Sequence, residues 1–219
     1  MSASGHSEPE PFTRTYRFAM GACAPYADWW GRMEVEGLES LPRSGPVLIA
    51  GNHDSKMDPV AIGVAARHHR QIRALAKASL WENPGLAPIL NGMGQIPIKR
   101  GDGDADALDA AIRSLRSGSC IGVFPEGTRS LGQKLRARSG IGRLAEAVPE
   151  TVIVLAAISG SIGYARFPKR PRVRVGFSRP AAGDYRLGED HGEFAARLLD
   201  EIRAGVPVVA AGRKAAPPA

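Results

Sequence analysis

The chain has 219 residues, of which 43% are hydrophobic and 23% are charged. This length and balance suit one α/β domain with its own core, and they exclude a fibrous or wholly disordered protein. Lysine and arginine outnumber aspartate and glutamate by 29 to 22, so we expect anionic partners such as phosphates, anionic membranes or nucleic acid. The two cysteines, Cys23 and Cys120, stand in unrelated contexts and indicate neither a disulfide framework nor a metal motif.

The N-terminal region divides into a polar tail and an amphipathic segment. Residues 1–11 carry two prolines and few apolar side chains, which predicts a disordered tail. Apolar residues recur every three or four positions over residues 12–33, interrupted by Pro25, and predict a helix with arginines interleaved. Aromatic rings beside arginines suit docking on an anionic membrane, although the same helix could equally pack on the domain core.

No apolar run is long enough to cross a bilayer, and the first residues lack the pattern of a signal peptide. We therefore expect any membrane association to be peripheral, on the cytoplasmic side of the cell membrane.

Strand and helix patterns alternate through the rest of the chain. The predicted strands are residues 33–38, 47–50, 72–76, 94–100, 120–124, 151–158 and 172–177. The predicted helices are residues 59–67, 79–90 (broken), 102–117, 140–147 and 191–204. This alternation predicts a single α/β domain over residues 34–208, with a central, mostly parallel or mixed sheet flanked by helices. An alanine- and proline-rich tail, residues 209–219, follows.

A histidine and an aspartate lie five positions apart where the strand at 47–50 meets the next helix. His53 follows the strand and Asp58 begins the helix, a place where α/β proteins often keep their chemistry. A histidine can remove a proton from a hydroxyl while that oxygen attacks a carbonyl. A carboxylate on the other ring nitrogen fixes the tautomer. The pair is a candidate acid–base site, and a structural turn is the alternative.

Two later strand ends carry groups suited to phosphate. Residues 124–130 place Glu126, Gly127, Thr128 and Arg129 directly after a buried strand. Arginine pairs with phosphate through two parallel hydrogen bonds, and backbone amides near a glycine complete anion sites. Arg100, with Lys99 before it, closes the strand at 94–100 just before a helix start, which also favours anions. A solvated charge pair explains that second site about as well.

Together these blocks resemble the glycerolipid acyltransferase family typified by bacterial 1-acyl-glycerol-3-phosphate acyltransferases. Residues 53–58 match its His-x-x-x-x-Asp motif, residues 94–100 its glycine-led strand ending in arginine, and residues 124–130 its third block throughout. Residues 152–160 approximate the fourth block but lack its central proline. The resemblance covers residues 35–160. Asp54 and Lys56 stand at positions that vary in the family, so we assign them no role.

The resemblance implies that His53 is the general base and that Asp58 orients it. The residues implied to bind the substrate, by positioning its glycerol phosphate, are Arg100, Glu126, Gly127, Thr128 and Arg129. The implied reaction moves a fatty acyl group from acyl-CoA or acyl-carrier protein to the free hydroxyl of lysophosphatidic acid, giving phosphatidic acid. No metal or other cofactor is implied, and the implied partners are the lysophospholipid, the acyl donor and an anionic membrane surface, without nucleic acid.

Three alternatives stay open at this point. The acceptor could be another lysolipid or a glycolipid, since relatives acylate these. A non-catalytic module that binds anionic lipid or nucleic acid would explain the charge but not the His53–Asp58 pair beside the block at 124–130. A thioesterase would use water in place of the acceptor, although the chain contains no Gly-x-Ser-x-Gly motif of the commonest serine hydrolases.

Overall fold

A computed structural model of the chain describes residues 10–99, 104–165 and 170–208. Most of the tail predicted at 1–11 and all of the tail predicted at 209–219 lie outside these residues. The division into tails, helix and domain therefore stays a prediction.

Within the described residues, seven strands form one sheet. They are β1 (Glu34–Glu36), β2 (Val47–Gly51), β3 (Ile72–Lys77), β4 (Ile96–Ile98), β5 (Cys120–Val123), β6 (Val152–Ser159) and β7 (Arg174–Ser178). Their order across the sheet is β1-β7-β6-β2-β5-β3-β4, and only the β6–β7 pair is antiparallel. The predicted α/β domain with a mostly parallel, mixed sheet is thus confirmed.

Six α-helices cover this sheet in the part of the chain that the structure describes. They are α1 (Arg14–Pro25), α2 (Asp58–Ala65), α3 (Ala87–Gly92), α4 (Ala105–Arg116), α5 (Gly140–Ala147) and α6 (His191–Gly205). Shorter turns of other helix types occupy Tyr26–Trp30, Leu38–Ser40, Ala78–Glu82 and Ser161–Ala165.

The sheet separates two hydrophobic cores. On one face, α4, α5 and α6 pack against Leu48, Ile121 and Ile153, and Phe194 of α6 is fully buried there. On the other face, α2 packs against Val47, Ile49 and Val154 among other apolar side chains. Side chains of successive strand residues point to opposite faces, and the central strands are apolar on both, as buried parallel strands usually are.

The amphipathic segment at 12–33 is not one continuous helix. Pro25 has no N–H to donate, and after it the chain continues as the π-helical turn Tyr26–Trp30 before β1 begins. Tyr16 and Met20 of α1 are buried against α2, whereas Phe18 and Trp29 are 74% and 69% exposed. The segment therefore packs on the domain and also presents aromatic rings outward. Among the described residues, none of the helices has the length and apolar character needed to cross a membrane.

The strand order brings three loops to one edge of the sheet. The chain leaves β2 for β3 on one side, whereas it later passes from β5 to β6 on the other side of β2. Because β5 and β6 each pair with β2 in parallel, the carboxyl ends of all three strands lie at the same edge. A crevice at such a reversal of strand order is the usual ligand site of open α/β sheets. The histidine motif and the block at 124–130 both lie here.

Candidate functional site

Two loops lie side by side at this edge and are hydrogen-bonded to each other. We call residues 52–58, after β2, the histidine loop, and residues 124–130, after β5, the glutamate loop. The backbone N–H of His53 donates to Glu126 Oε2 at 2.6 Å, and the N–H of Ser130 donates to the His53 carbonyl at 2.7 Å. His53 is thus fixed at both of its backbone polar groups by the neighbouring loop.

The predicted His53–Asp58 pair is formed. Their Nδ1 and Oδ2 atoms are 3.2 Å apart, and Asp58 is fully buried at the start of α2. The same Oδ2 accepts the backbone N–H groups of Asp54 and Ser55, each at 2.7 Å. An oxygen that already accepts two amides is an acceptor for the ring as well, so we assign the proton of neutral His53 to Nδ1. Nε2 is then the basic nitrogen.

The imidazole is also held on its flat side. The Phe124 ring stacks on it with centroids 4.3 Å apart and planes tilted by 25°. None of the described residues forms a hydrogen bond with Nε2, and the side chain of His53 is 10% exposed. The ring is therefore oriented by two neighbours and keeps its basic nitrogen available to a substrate hydroxyl.

Asn52 extends the sheet with its side chain. Its Oδ1 accepts the N–H of Ile158 and its Nδ2 donates to the Ile158 carbonyl, both at 2.8 Å. These two bonds satisfy both backbone polar groups of Ile158 beyond the end of β2. Nδ2 also donates to Asp54 at 2.9 Å, so Asn52 connects the histidine loop to β6.

The glutamate loop presents groups of two kinds. Gly127 closes a turn in which its N–H donates to the Phe124 carbonyl at 2.9 Å, with a φ of 69° that favours glycine. Thr128 is exposed and Arg129 half-buried, and neither side chain forms a hydrogen bond or ion pair with the described residues. Both remain available to a ligand.

Glu126, in contrast, faces inward. It is 3% exposed, and its oxygens accept from the His53 backbone and from Arg203. In this arrangement the carboxylate supports the histidine loop, and its predicted contact with substrate stays a prediction. Arg100, which was also predicted to bind the substrate, lies outside the described residues.

The site also includes a residue that the sequence did not single out. Arg203, in the last turn of α6, binds both Asp54 and Glu126, and all three side chains are at most 8% exposed. Burial raises the pKa of Asp54, but hydrogen bonds from Arg203 and Ser130 outweigh burial, so this pKa lies below its ordinary value. Burial lowers the pKa of Arg203, and its two carboxylate partners more than reverse that shift.

A family model described as Acyltransferase matches residues 32–159, which is more than half of the chain. This span contains both loops and ends with the last residue of β6, well before α6. The general character of the site, a buried His–Asp pair beside a loop with a free arginine, agrees with this match.

Two relatives named 1-acyl-sn-glycerol-3-phosphate acyltransferase are similar to this chain over spans of different length. The Bacillus subtilis protein is 25% identical over 168 residues, which cover 77% of this chain and 73% of that protein. The Borreliella burgdorferi protein is 36% identical over 121 residues, which cover 53% of this chain and 48% of that protein. The match thus spans about half of the second relative's length.

The fold is similar to a solved one. The crystal structure of the 1-acyl-sn-glycerophosphate (LPA) acyltransferase PlsC from Thermotoga maritima superposes with a TM-score of 0.68 over 87% of this chain and 78% of that chain, at 22% identity. This likeness concerns the fold. Taken with the family match and the named relatives, it leads to one conclusion: the chain belongs to the Acyltransferase family and is an enzyme that transfers acyl groups.

Proposed function

We propose that this enzyme transfers a fatty acyl group from a thioester donor to the free hydroxyl of lysophosphatidic acid, giving phosphatidic acid. The observation that carries the proposal is the held imidazole of His53, with Asp58 on Nδ1 and no described partner on Nε2. The names of the Bacillus and Borreliella relatives support the choice of acceptor. Thr128 and Arg129, both free of side-chain partners among the described residues, support recognition of its phosphate.

The chemistry follows from this geometry. Nε2 of His53 takes the proton of the acceptor hydroxyl while the oxygen attacks the thioester carbonyl. The tetrahedral intermediate then collapses and the carbon–sulfur bond breaks. The imidazolium gives its proton to the departing sulfur, which leaves as a thiol. Asp58 stabilises that imidazolium through Nδ1. The products are the ester and the free thiol, with no acyl-enzyme and no cofactor beyond the donor.

The donor is acyl-CoA or acyl-carrier protein, and both release a thiol that can be titrated. The decisive experiment incubates the full chain with each donor, with and without lysophosphatidic acid, and follows free thiol and phosphatidic acid. We expect thiol release that depends on the acceptor, with one ester formed per thiol. Release without acceptor would indicate hydrolysis, and no release from either donor would contradict the proposed function.

A panel of acceptors sharpens the same experiment. Glycerol 3-phosphate, lysophosphatidylcholine and a glycolipid are each offered in place of lysophosphatidic acid with one acyl-CoA. We expect lysophosphatidic acid to have the highest kcat/KM. Its phosphate monoester can pair with Arg129, which distinguishes it from lysophosphatidylcholine and the glycolipid, and it carries an acyl chain that glycerol 3-phosphate lacks. A glycolipid with a higher kcat/KM would contradict lysophosphatidic acid as the proposed acceptor, while the proposed acyl-transfer chemistry would stand.

We also propose that α1 and the turn after it dock peripherally on an anionic membrane, on the cytoplasmic side. The supporting observation is that Phe18 and Trp29 are exposed while Arg14 and Arg17, also exposed, lie on the same helix as Phe18. Replacing Phe18 and Trp29 by serine should weaken binding to vesicles that contain anionic lipid. Unchanged binding would mean that the segment serves packing alone.

A further inference from the structure

Three charged side chains from distant parts of the chain form one buried cluster beside His53. Arg203 comes from the end of α6, Asp54 from the histidine loop and Glu126 from the glutamate loop. Their side chains are 8%, 5% and 1% exposed. We call these three residues the arginine clamp. Buried charges of this kind are retained only where they are paired and hydrogen-bonded, and here each is.

The Asp54 side of the clamp is fully bonded. Arg203 Nη1 and Nη2 donate to the two Asp54 oxygens at 2.9 and 2.8 Å, a planar two-point pair. The remaining acceptor positions take the Ser130 hydroxyl and the Asn52 amide. Asp54 therefore joins α6 to both active-site loops and, through Asn52, to β6.

The Glu126 side of the clamp reaches the catalytic histidine directly. Arg203 Nη2 donates to Glu126 Oε1 at 2.5 Å, while Glu126 Oε2 accepts the backbone N–H of His53 at 2.6 Å. One carboxylate thus transmits the position of the arginine to the backbone that carries the imidazole. A lateral error of about 1 Å in that ring would cost on the order of 100-fold in rate.

The guanidinium itself is held by a rigid element. Its helix buries Phe194, Leu198, Leu199 and Ile202 in the core, and Ile202 immediately precedes Arg203. The last turn of a helix also favours a cation. Without the guanidinium, Asp54 and Glu126 would face each other with no other cation in contact among the described residues.

We propose that Arg203 is a positioning residue of the acyl-transfer site. It holds the histidine and glutamate loops in register through Asp54 and Glu126, so that His53 presents Nε2 to the acceptor hydroxyl. This inference rests on the proposed function for its kinetic consequence. Arg203 lies outside residues 32–159, the span of the family match, so the last described helix of this chain completes the site.

The test replaces Arg203 by methionine, which keeps the length of the side chain and removes the charge. We expect kcat with lysophosphatidic acid and acyl-CoA to fall on the order of 100-fold, while KM for either substrate changes by less than about threefold. Arg203→Lys should recover part of kcat, because an ammonium can bind one carboxylate at a time but lacks the planar fork.

The matched control is Arg197→Met on the same helix. Arg197 pairs with Glu189 at 2.7 Å with side chains 24% and 17% exposed, so its loss removes the same charge from α6 without touching either loop. We expect Arg197→Met to keep kcat. A second measurement needs no activity: the NMR signals of the His53 ring should move in Arg203→Met and stay in place in Arg197→Met.

Several results would overturn the proposal. They are a folded Arg203→Met enzyme with unchanged kcat, a loss of activity that equals the loss of folded protein, or a rise in KM alone. If Arg203→Met does not fold, Arg203→Lys and Asp54→Asn give the answer, since each weakens the clamp while keeping part of it, and both should lower kcat. If the unaltered enzyme shows no acyl transfer, the proposed function fails while the His53 signals still test the clamp.

Discussion

The His53–Asp58 pair and the arginine clamp touch each other, yet they are built in opposite ways. The pair is local, five residues apart along one turn, and leaves Nε2 without a partner among the described residues. The clamp joins residues up to 149 positions apart, and every carboxylate oxygen in it is bonded. One arrangement keeps a reactive atom open and the other is closed.

This difference separates the reacting group from the groups that support it. An open group is expected to control the rate of the chemical step, because only it meets the substrate. A closed cluster is expected to control both stability and the position of the open group, since its bonds are made before substrate arrives. Four changes, taken in order of decreasing effect, can break or sharpen the comparison.

The largest effect should come from His53→Gln. Glutamine cannot take up the hydroxyl proton, so kcat should fall by about 100- to 10,000-fold. The melting temperature should change little, because the glutamine amide can donate to Asp58 in place of Nδ1 and because Nε2 makes no bond with the described residues. His191→Gln is the matched control, since His191 pairs with Glu146 at the surface of α6. Equal losses in both variants, measured as thiol release per folded molecule, would deny His53 its role.

Asp58→Asn should come next and should affect both rate and stability. Asparagine can still place one oxygen where the ring and the two amides converge on Oδ2, but it lacks the negative charge that stabilises the imidazolium formed during the reaction. We expect kcat to fall on the order of 100-fold and the melting temperature to drop. Asp28→Asn, which loses only an exposed pair with Arg67, should change neither. An Asp58→Asn enzyme with unchanged kcat would contradict the role of Asp58 in supporting His53.

Asn52→Ala should act on stability more than on rate. It leaves the N–H and the carbonyl of Ile158 without their side-chain partner in a buried position. The free energy of unfolding, measured by urea denaturation, should fall by about 1–3 kcal/mol. Asn91→Ala removes an exposed bond from Trp81 instead and should stay within about 0.5 kcal/mol of the unaltered protein. A comparable loss in both would mean that burial of Asn52 is irrelevant.

The smallest expected effect is on the stability of the folded protein at acidic pH, and Asp54→Asn tests it. The pKa of Asp54 is lower in the folded protein than its ordinary value of 3.8, so the folded state binds this proton less readily than the unfolded state. The resulting stability is complete above about pH 5 and is lost as the pH falls through the folded pKa. Asp54→Asn should therefore flatten the fall in stability between about pH 5 and pH 3. Asp109→Asn, on exposed α4 surface, should keep the original slope.

The fold was largely predictable because most helices and strands are indicated by patterns of neighbouring residues. The apolar runs at β2, β5 and β6 and the one-sided pattern of α4 are properties of adjacent residues. The ends of the elements were less predictable. The helix expected at 102–117 begins at Ala105 within the described residues, because the Asp104 side chain caps it by accepting the Ala107 N–H.

The site was predictable only where it is local. His53 and Asp58 share one turn, and the glutamate loop is a single stretch, so spacing alone brought their residues together. Arg203 carries no such signal, since an arginine in the last turn of an amphipathic helix usually meets solvent. Its burial depends on how α6 crosses the sheet, and the inward turn of Glu126 depends on Arg203. Tertiary packing, which the local sequence does not show, therefore determines the positions of Arg203 and Glu126.

Arg203 lies 77 positions after Glu126 and 149 positions after Asp54, and this order bears on synthesis. A ribosome releases the histidine and glutamate loops before α6, and contacts between distant residues form later than local ones. A nascent chain that ends before α6 would carry both loops with Asp54 and Glu126 side by side and unneutralised. Docking of α6 would then bring the guanidinium to both carboxylates and hold the two loops in place.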